Sequence, residues 1–104
     1  MNSAEGLGQI RPLLARAYGP RLHSLVLYGS EARGEAQPDS DIDLLVVLRG
    51  PVHLWRDLQA ALHALYPLSL QWGRPISPKP VDAQEYAEAD CPLYRTAREE
   101  GILL

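Results

Sequence analysis

The sequence has 104 residues, 46% hydrophobic and 22% charged, with a net charge of −3; that describes one ordinary globular domain, read here as spanning 1–104. No apolar run approaches the ~20 residues of a membrane span, and the one cysteine, Cys91, excludes an intrachain disulfide framework or thiolate metal cluster and is expected to be a half-buried packing residue. The acidic balance argues against nonspecific nucleic-acid binding, and the opening MNSAEGLGQIRP lacks the basic-then-apolar order of a signal peptide, so a cytoplasmic location is expected.

In chain order, Leu7, Ile10, Leu14 and Ala17 recur at helical spacing and predict a first helix over 7–18. Pro12 belongs in its first turn, where proline is tolerated, and Gly19-Pro20 stops it. LHSLVLY, Leu22 to Tyr28, predicts a strand that Gly29-Ser30 breaks. SEAR predicts a short helical turn and GEAQPDS a loop. Asp41 to Leu48 predicts the second strand; its run LLVVL is continuous rather than alternating, which points to burial on both faces.

Pro51 is placed at the start of a long helix with Trp55, Leu58, Leu62 and Leu65 as its apolar stripe, a core or interface face. Pro67 is read as a kink rather than an end, with Gly73 as the C-terminal cap. PISPKPV, Pro75 to Val81, predicts an edge strand because proline cannot donate to a ladder on both sides. Asp82 and Glu85 have capping-box spacing and open a short helix. Pro92 starts a last helix that ends at Gly101, and ILL closes the chain.

The chemistry concentrates between Gly29 and Asp43. Residues two apart in a strand point the same way, with alpha carbons about 6.5 Å apart. Asp41 and Asp43 therefore project together, and their mutual repulsion asks for a cation between them. Mg²⁺ suits that role, being hard and content with carboxylate, water and phosphate oxygens. Upstream, Gly29 permits close approach of a phosphate to the backbone, and the Ser30 hydroxyl and Arg33 guanidinium can donate to its oxygens. A phosphate grip and a metal grip thus fall on neighbouring strand ends.

The stretch GSEARGEAQPDSDIDLLVVL resembles the signature of the DNA polymerase beta-like nucleotidyltransferases, in particular their minimal nucleotidyltransferase branch. The pattern is Gly29-Ser30, ten residues, then Asp41-Ile42-Asp43, with the SxARG and SDIDL flavour of that branch at Ser30–Gly34 and Ser40–Leu44. The resemblance implies an α+β, two-layer nucleotidyltransferase fold, a mixed β-sheet with helices packed on one side. It implies that Gly29 and Ser30 contact the phosphates of ATP or another nucleoside triphosphate, and that Asp41 and Asp43 bind Mg²⁺ or Mn²⁺. It further implies transfer of a nucleoside monophosphate, AMP from ATP, to a hydroxyl. Because minimal nucleotidyltransferases pair with HEPN-domain proteins in toxin–antitoxin systems, it implies an antitoxin with a HEPN-domain partner.

Members of this family that are active usually carry a third carboxylate on the next strand. Here that strand has no acid: alternation puts Ser77 in the slot, and Asp82, the nearest carboxylate, lies at the strand end where it also fits as a helix cap. Two function classes stay open at this point. One is the transferase. The other is a nucleotidyltransferase-fold module that binds and neutralises a partner with little or no catalysis. A free-standing transferase for a small molecule is a weaker third, and needs a homo-oligomer to build the pocket. The three histidines lack ligand spacing, and Gly6-x-Gly8 lacks the context of a dinucleotide fingerprint.

Overall fold

The computed structural model describes residues 6–104. A helix α1, Ile10–Tyr18, and a 3₁₀ turn, Gly19–Arg21, lead into strand β1, Leu22–Tyr28. A single turn of helix, α2, Gly29–Ala32, follows at once. A loop leads to β2, Ile42–Leu48, and then to the long helix α3, Leu54–Trp72. Strand β3 is Ile76–Asp82, helix α4 is Ala83–Glu88, helix α5 is Pro92–Glu100, and a two-residue strand β4, Ile102–Leu103, ends the order.

The four strands form one mixed sheet in the order β3-β2-β1-β4. β1 runs antiparallel to both β2 and β4, and β2 runs parallel to β3. β2 is thus an inner strand, and Leu44 through Leu48 are each at most 1% exposed. Its continuous apolar run follows from that burial on both faces. β3 is an edge strand, which its prolines at 78 and 80 permit.

Each face of the sheet carries its own core. Leu25, Leu27, Leu44, Val46 and Ile76 pack against Ile10 and Leu14 of α1 and Ala61, Leu65 and Leu68 of α3. On the opposite face Val26, Leu45, Val47 and Val81 pack against Tyr94 and Ala97 of α5, with Ala83 and Tyr86 of α4 alongside. The mixed α+β sheet is as expected. The two longest apolar helices do share one face, but α4 and α5 cover part of the other, so helices are not confined to one side. Cys91 is half-buried at the edge of this smaller core.

Three local expectations differ from the structure: α1 starts at Ile10 rather than Leu7, after a turn at Gly8 and Gln9, and two concern α3. Helix α3 starts at Leu54 rather than Pro51, because the Asp57 carboxylate accepts a 3.0 Å bond from the His53 amide and so caps the helix there. Its core face is Asp57, Ala61, Leu65 and Leu68, whereas Trp55 is 72% exposed and Leu62 is 40% exposed. The face is rotated because Arg21 makes the burial of Asp57 tolerable, with two bonds of 3.0 and 2.9 Å to its carboxylate. The helix does run unbroken through Pro67 to a left-handed Gly73 cap. Among the described residues no helix is long and apolar enough to cross a membrane.

Candidate active site

The antiparallel ladder between β1 and β2 ends on the pair Tyr28–Asp43. The next residue after β1 is Gly29, and the residue before β2 is Asp41. The sheet therefore delivers the glycine-serine turn and the two aspartates to the same end of neighbouring strands. Gly29 has φ of +76°, a conformation that side chains oppose. A Cβ there would stand 2.5 Å from Asp43 Oδ2. Glycine is thus required twice over, for its backbone angle and for the close approach of the turn to the carboxylate.

Asp43 lies on the same sheet face as Leu45 and Val47, the face that α5 covers further along. It is half-buried, and Asp41 beside it is exposed. Burial, reinforced by the charge of Asp41, raises the Asp43 carboxyl above the ordinary aspartate value, and Lys79 and Arg33 only partly offset this. Burial and the nearby Asp43 push the Tyr28 phenol up to about 12, so Tyr28 stays neutral at physiological pH. The donor set fits a divalent cation. Two hard carboxylates lie close enough for the charge of Asp41 to act on Asp43, and their repulsion is the quantity a cation would relieve.

β3 completes the floor. In the parallel register Ser77 stands beside Asp43 and Lys79 beside Leu45. The Ser77 hydroxyl donates to Asp41 Oδ2 at 3.3 Å. Among the described residues no three His, Cys, Asp or Glu side chains are grouped to hold a metal. Asp82 lies at the far end of β3, opposite Leu48, and its Oδ1 accepts the amides of Gln84 and Glu85 at 2.9 and 3.0 Å. Its place is a helix cap, five residues along β3 from Ser77, the residue that pairs with Asp43. Arg33 is on the surface near the turn, bonded to Glu35 at 3.1 Å and Glu100 at 3.4 Å.

Two residues that spacing alone did not single out stand beside the site. Glu31, next to Ser30, receives both terminal nitrogens of Arg74 at 3.1 and 3.2 Å. The Arg74 Nε also donates to the Ser40 carbonyl at 3.0 Å, one residue before Asp41. No periodicity links positions 31, 40 and 74; the only local hint is an arginine held between a helix-capping glycine and a proline.

A family model for the nucleotidyltransferase domain matches residues 7–104. No curated protein matches the chain. Among solved structures, a protein described as a minimal nucleotidyltransferase is 25% identical, covering 100% of this chain and 97% of its own, with a TM-score of 0.60. A toxin–antitoxin structure with AMP-PNP is 21% identical over 99% of this chain and 72% of its own, with a TM-score of 0.57. A tri-AMPylated HEPN toxin from Shewanella oneidensis in complex with MNT antitoxin gives 21% identity, 96% and 69% coverage, and a TM-score of 0.55. Spectinomycin adenyltransferase AAD(9) from Enterococcus faecialis, with ATP and spectinomycin, gives 20% identity and a TM-score of 0.65, but this chain spans only 48% of its length. With the family model matching nearly end to end and the fold shared with minimal and toxin–antitoxin nucleotidyltransferases, the chain belongs to the nucleotidyltransferase domain family.

Proposed function

We propose that the chain is a Mg²⁺- or Mn²⁺-dependent nucleotidyltransferase that moves AMP from ATP onto a hydroxyl of a partner protein, acting as the antitoxin of a HEPN-domain toxin. The observation that carries this reading is the contact between Gly29 and Asp43, where a Cβ would have only 2.5 Å to the carboxylate. That contact brings the glycine-serine turn directly against Asp43, which supports reading the two as one phosphate and metal grip. Family membership supports the reaction class. A similar fold holding AMP-PNP supports the nucleotide, and an AMPylated HEPN toxin beside an MNT antitoxin supports the acceptor.

In this reading the Gly29 backbone and the Ser30 hydroxyl bind the triphosphate, and Arg33 adds charge at its edge. Asp41 and Asp43 would hold the cation, which when bound polarises phosphate oxygens and neutralises charge on the departing group. The acceptor oxygen forms a bond to the α-phosphorus while the bond to the bridging oxygen breaks. Pyrophosphate leaves with that electron pair, and the hydroxyl proton passes to water. Ser77 occupies the third-acid slot and orients Asp41 through its hydroxyl; Asp82 serves the helix.

The test is co-expression with the protein encoded beside it, addition of Mg²⁺ and ATP, and intact mass measurement of that neighbour. A gain of one or more AMP groups is expected, lost in Asp43→Asn. An unmodified neighbour in a stable complex would sink the transferase reading for that pair.

A second reading has its own observation: among the described residues no third acid joins Asp41 and Asp43. The fold would then neutralise its partner by binding alone. Under that reading Asp41→Asn and Asp43→Asn leave neutralisation intact; under the first they abolish it together with transfer.

A further inference from the structure

Ser30 and Asp41 both lie beyond the last residue pair, Tyr28–Asp43, that ties β1 to β2. The ladder alone therefore leaves their separation open, and the eight residues 32–39 of turn and loop run between their neighbours Glu31 and Ser40. We infer that Arg74 is a positioning residue of this site: its guanidinium holds Glu31 and the Ser40 carbonyl together, and so fixes the Ser30 turn against the Asp41 carboxylate. The inference rests on the nucleotidyltransferase reading for its functional consequence, and on the Arg74 hydrogen bonds for the clamp itself.

Three nitrogens of one planar group are engaged. Nε donates to Ser40 O at 3.0 Å, Nη1 to Glu31 Oε1 at 3.1 Å and Nη2 to Glu31 Oε2 at 3.2 Å. A planar fork sets direction as well as distance, which a lysine ammonium cannot do. The side chains of Arg74 and Glu31 are only 16% and 11% exposed, so water competes little for these bonds.

The base of the clamp is itself fixed. Gly73 closes α3 in the left-handed conformation, the Arg74 amide donates to Ser69 O at 3.3 Å, and the Ser69 hydroxyl donates to Arg74 O at 2.6 Å. The next residue holds β2 as well, since the Ile42 amide donates to Pro75 O at 2.9 Å. A staple between α3 and α2 would need only the bond to Glu31. The third bond, to the peptide preceding Asp41, is what brings the aspartate side of the site into the same rigid unit.

The test compares the full chain with Arg74→Lys, Arg74→Gln and Glu31→Gln, using Mn²⁺ plus ATP as the probe. Three readings are taken: thermal unfolding, Mn²⁺–ATP affinity by calorimetry, and residue-resolved amide hydrogen exchange. Arg74→Lys is expected to stay folded, to weaken Mn²⁺–ATP binding at least tenfold, and to speed exchange within 30–41 only. Glu31→Gln, which keeps the Ser40 bond, is expected to have a smaller effect on affinity than Arg74→Gln. Unchanged affinity in Arg74→Lys, or exchange that accelerates evenly over the whole chain, would overturn the positioning role and leave a plain structural staple. If the wild-type chain binds no Mn²⁺–ATP, the nucleotidyltransferase reading falls instead. The exchange measurement then decides the clamp alone: local acceleration within 30–41 sustains it, and none removes it.

Discussion

Ser77 stands beside Asp43 in the parallel pairing of β2 and β3, with its hydroxyl 3.3 Å from the Asp41 carboxylate. A serine thus sits where a third carboxylate would meet both aspartates. Ser77→Asp should convert a two-acid site into a three-acid one. Without metal, the added charge repels its neighbours, and the variant should unfold at lower temperature in EDTA than the wild type. With Mn²⁺ the order should invert, with affinity raised by about tenfold or more, since each added carboxylate ligand strengthens binding of a hard cation. Calorimetric titration with Mn²⁺ checks this; equal affinity for the two proteins would mean that the Ser77 side chain does not face the cation.

The glycine at 29 can be separated from glycine in general. Gly29 and Gly34 both have positive φ, +76° and +72°, but only at Gly29 would a Cβ meet anything, Asp43 Oδ2 at 2.5 Å. Gly34→Ala should cost only the left-handed penalty of about 1–2 kcal/mol and leave nucleotide binding unchanged. Gly29→Ala should cost at least as much and also displace Asp43, so that Mn²⁺–ATP binding is lost in protein that still folds. Urea unfolding paired with binding calorimetry distinguishes the two, and a Gly29→Ala protein with normal affinity would remove the close approach from the argument.

Asp43 should be a liability in the empty site. Its folded pKa is raised above the ordinary value, by burial first and Asp41 second. The folded state therefore binds this proton more tightly than the unfolded one, and stability falls as pH rises from the unfolded value through the folded one. At neutral pH that cost is present in full. Asp43→Asn should raise the unfolding temperature in EDTA, by about 2–4 °C for ~0.5 kcal/mol, a figure kept small because the site is partly open to solvent. The same substitution should abolish the stabilisation that Mn²⁺ plus ATP gives the wild type. Thermal scans with and without the two ligands test both halves.

How much of this could be read along the chain depended on how local each interaction is. Strand β1 was legible to the residue, Leu22 to Tyr28, because its ends are marked by Gly19-Pro20 and Gly29-Ser30. The grip from Gly29 to Asp43 was legible because its parts lie within one hairpin-like unit at fixed spacing. The Arg74–Glu31 pair was not, since its partners are 43 positions apart and each alone resembles a surface charge. β4 was not read as a strand either; two residues carry no period, and Ile102 and Leu103 are extended only because β1 offers them an edge. The face of α3 was misplaced because the spacing of Trp55, Leu58, Leu62 and Leu65 outlines a stripe that shares only Leu65 with the buried face of Asp57, Ala61, Leu65 and Leu68. Asp57 is 2% exposed, and only the partner 36 positions upstream explains it.

That partner makes Asp57 the most testable part of the fold. Its carboxylate takes two bonds from Arg21, at 3.0 and 2.9 Å, and one from the His53 amide at 3.0 Å, while the Tyr18 hydroxyl donates to the Asp57 carbonyl. The Arg21 bonds, ahead of the smaller contribution from His53, hold the Asp57 carboxyl below the ordinary aspartate value. With the folded pKa depressed, the stabilisation is complete above the unfolded value near 4 and is lost as pH falls through the folded one. Asp57→Asn removes the charge but keeps the shape, so it should cost about 2 kcal/mol at pH 7, reduced from the fully buried range because Arg21 is 37% exposed. As pH falls below about 4 the wild type should lose this advantage, and the two stability curves should converge. Arg21→Gln should be worse than Asp57→Asn at pH 7, because it strands a buried carboxylate, and should recover towards the wild type in acid as that carboxylate is protonated. Urea unfolding of the three proteins from pH 3 to pH 7 reads all of this, and parallel curves across the range would mean that the pair contributes packing rather than charge.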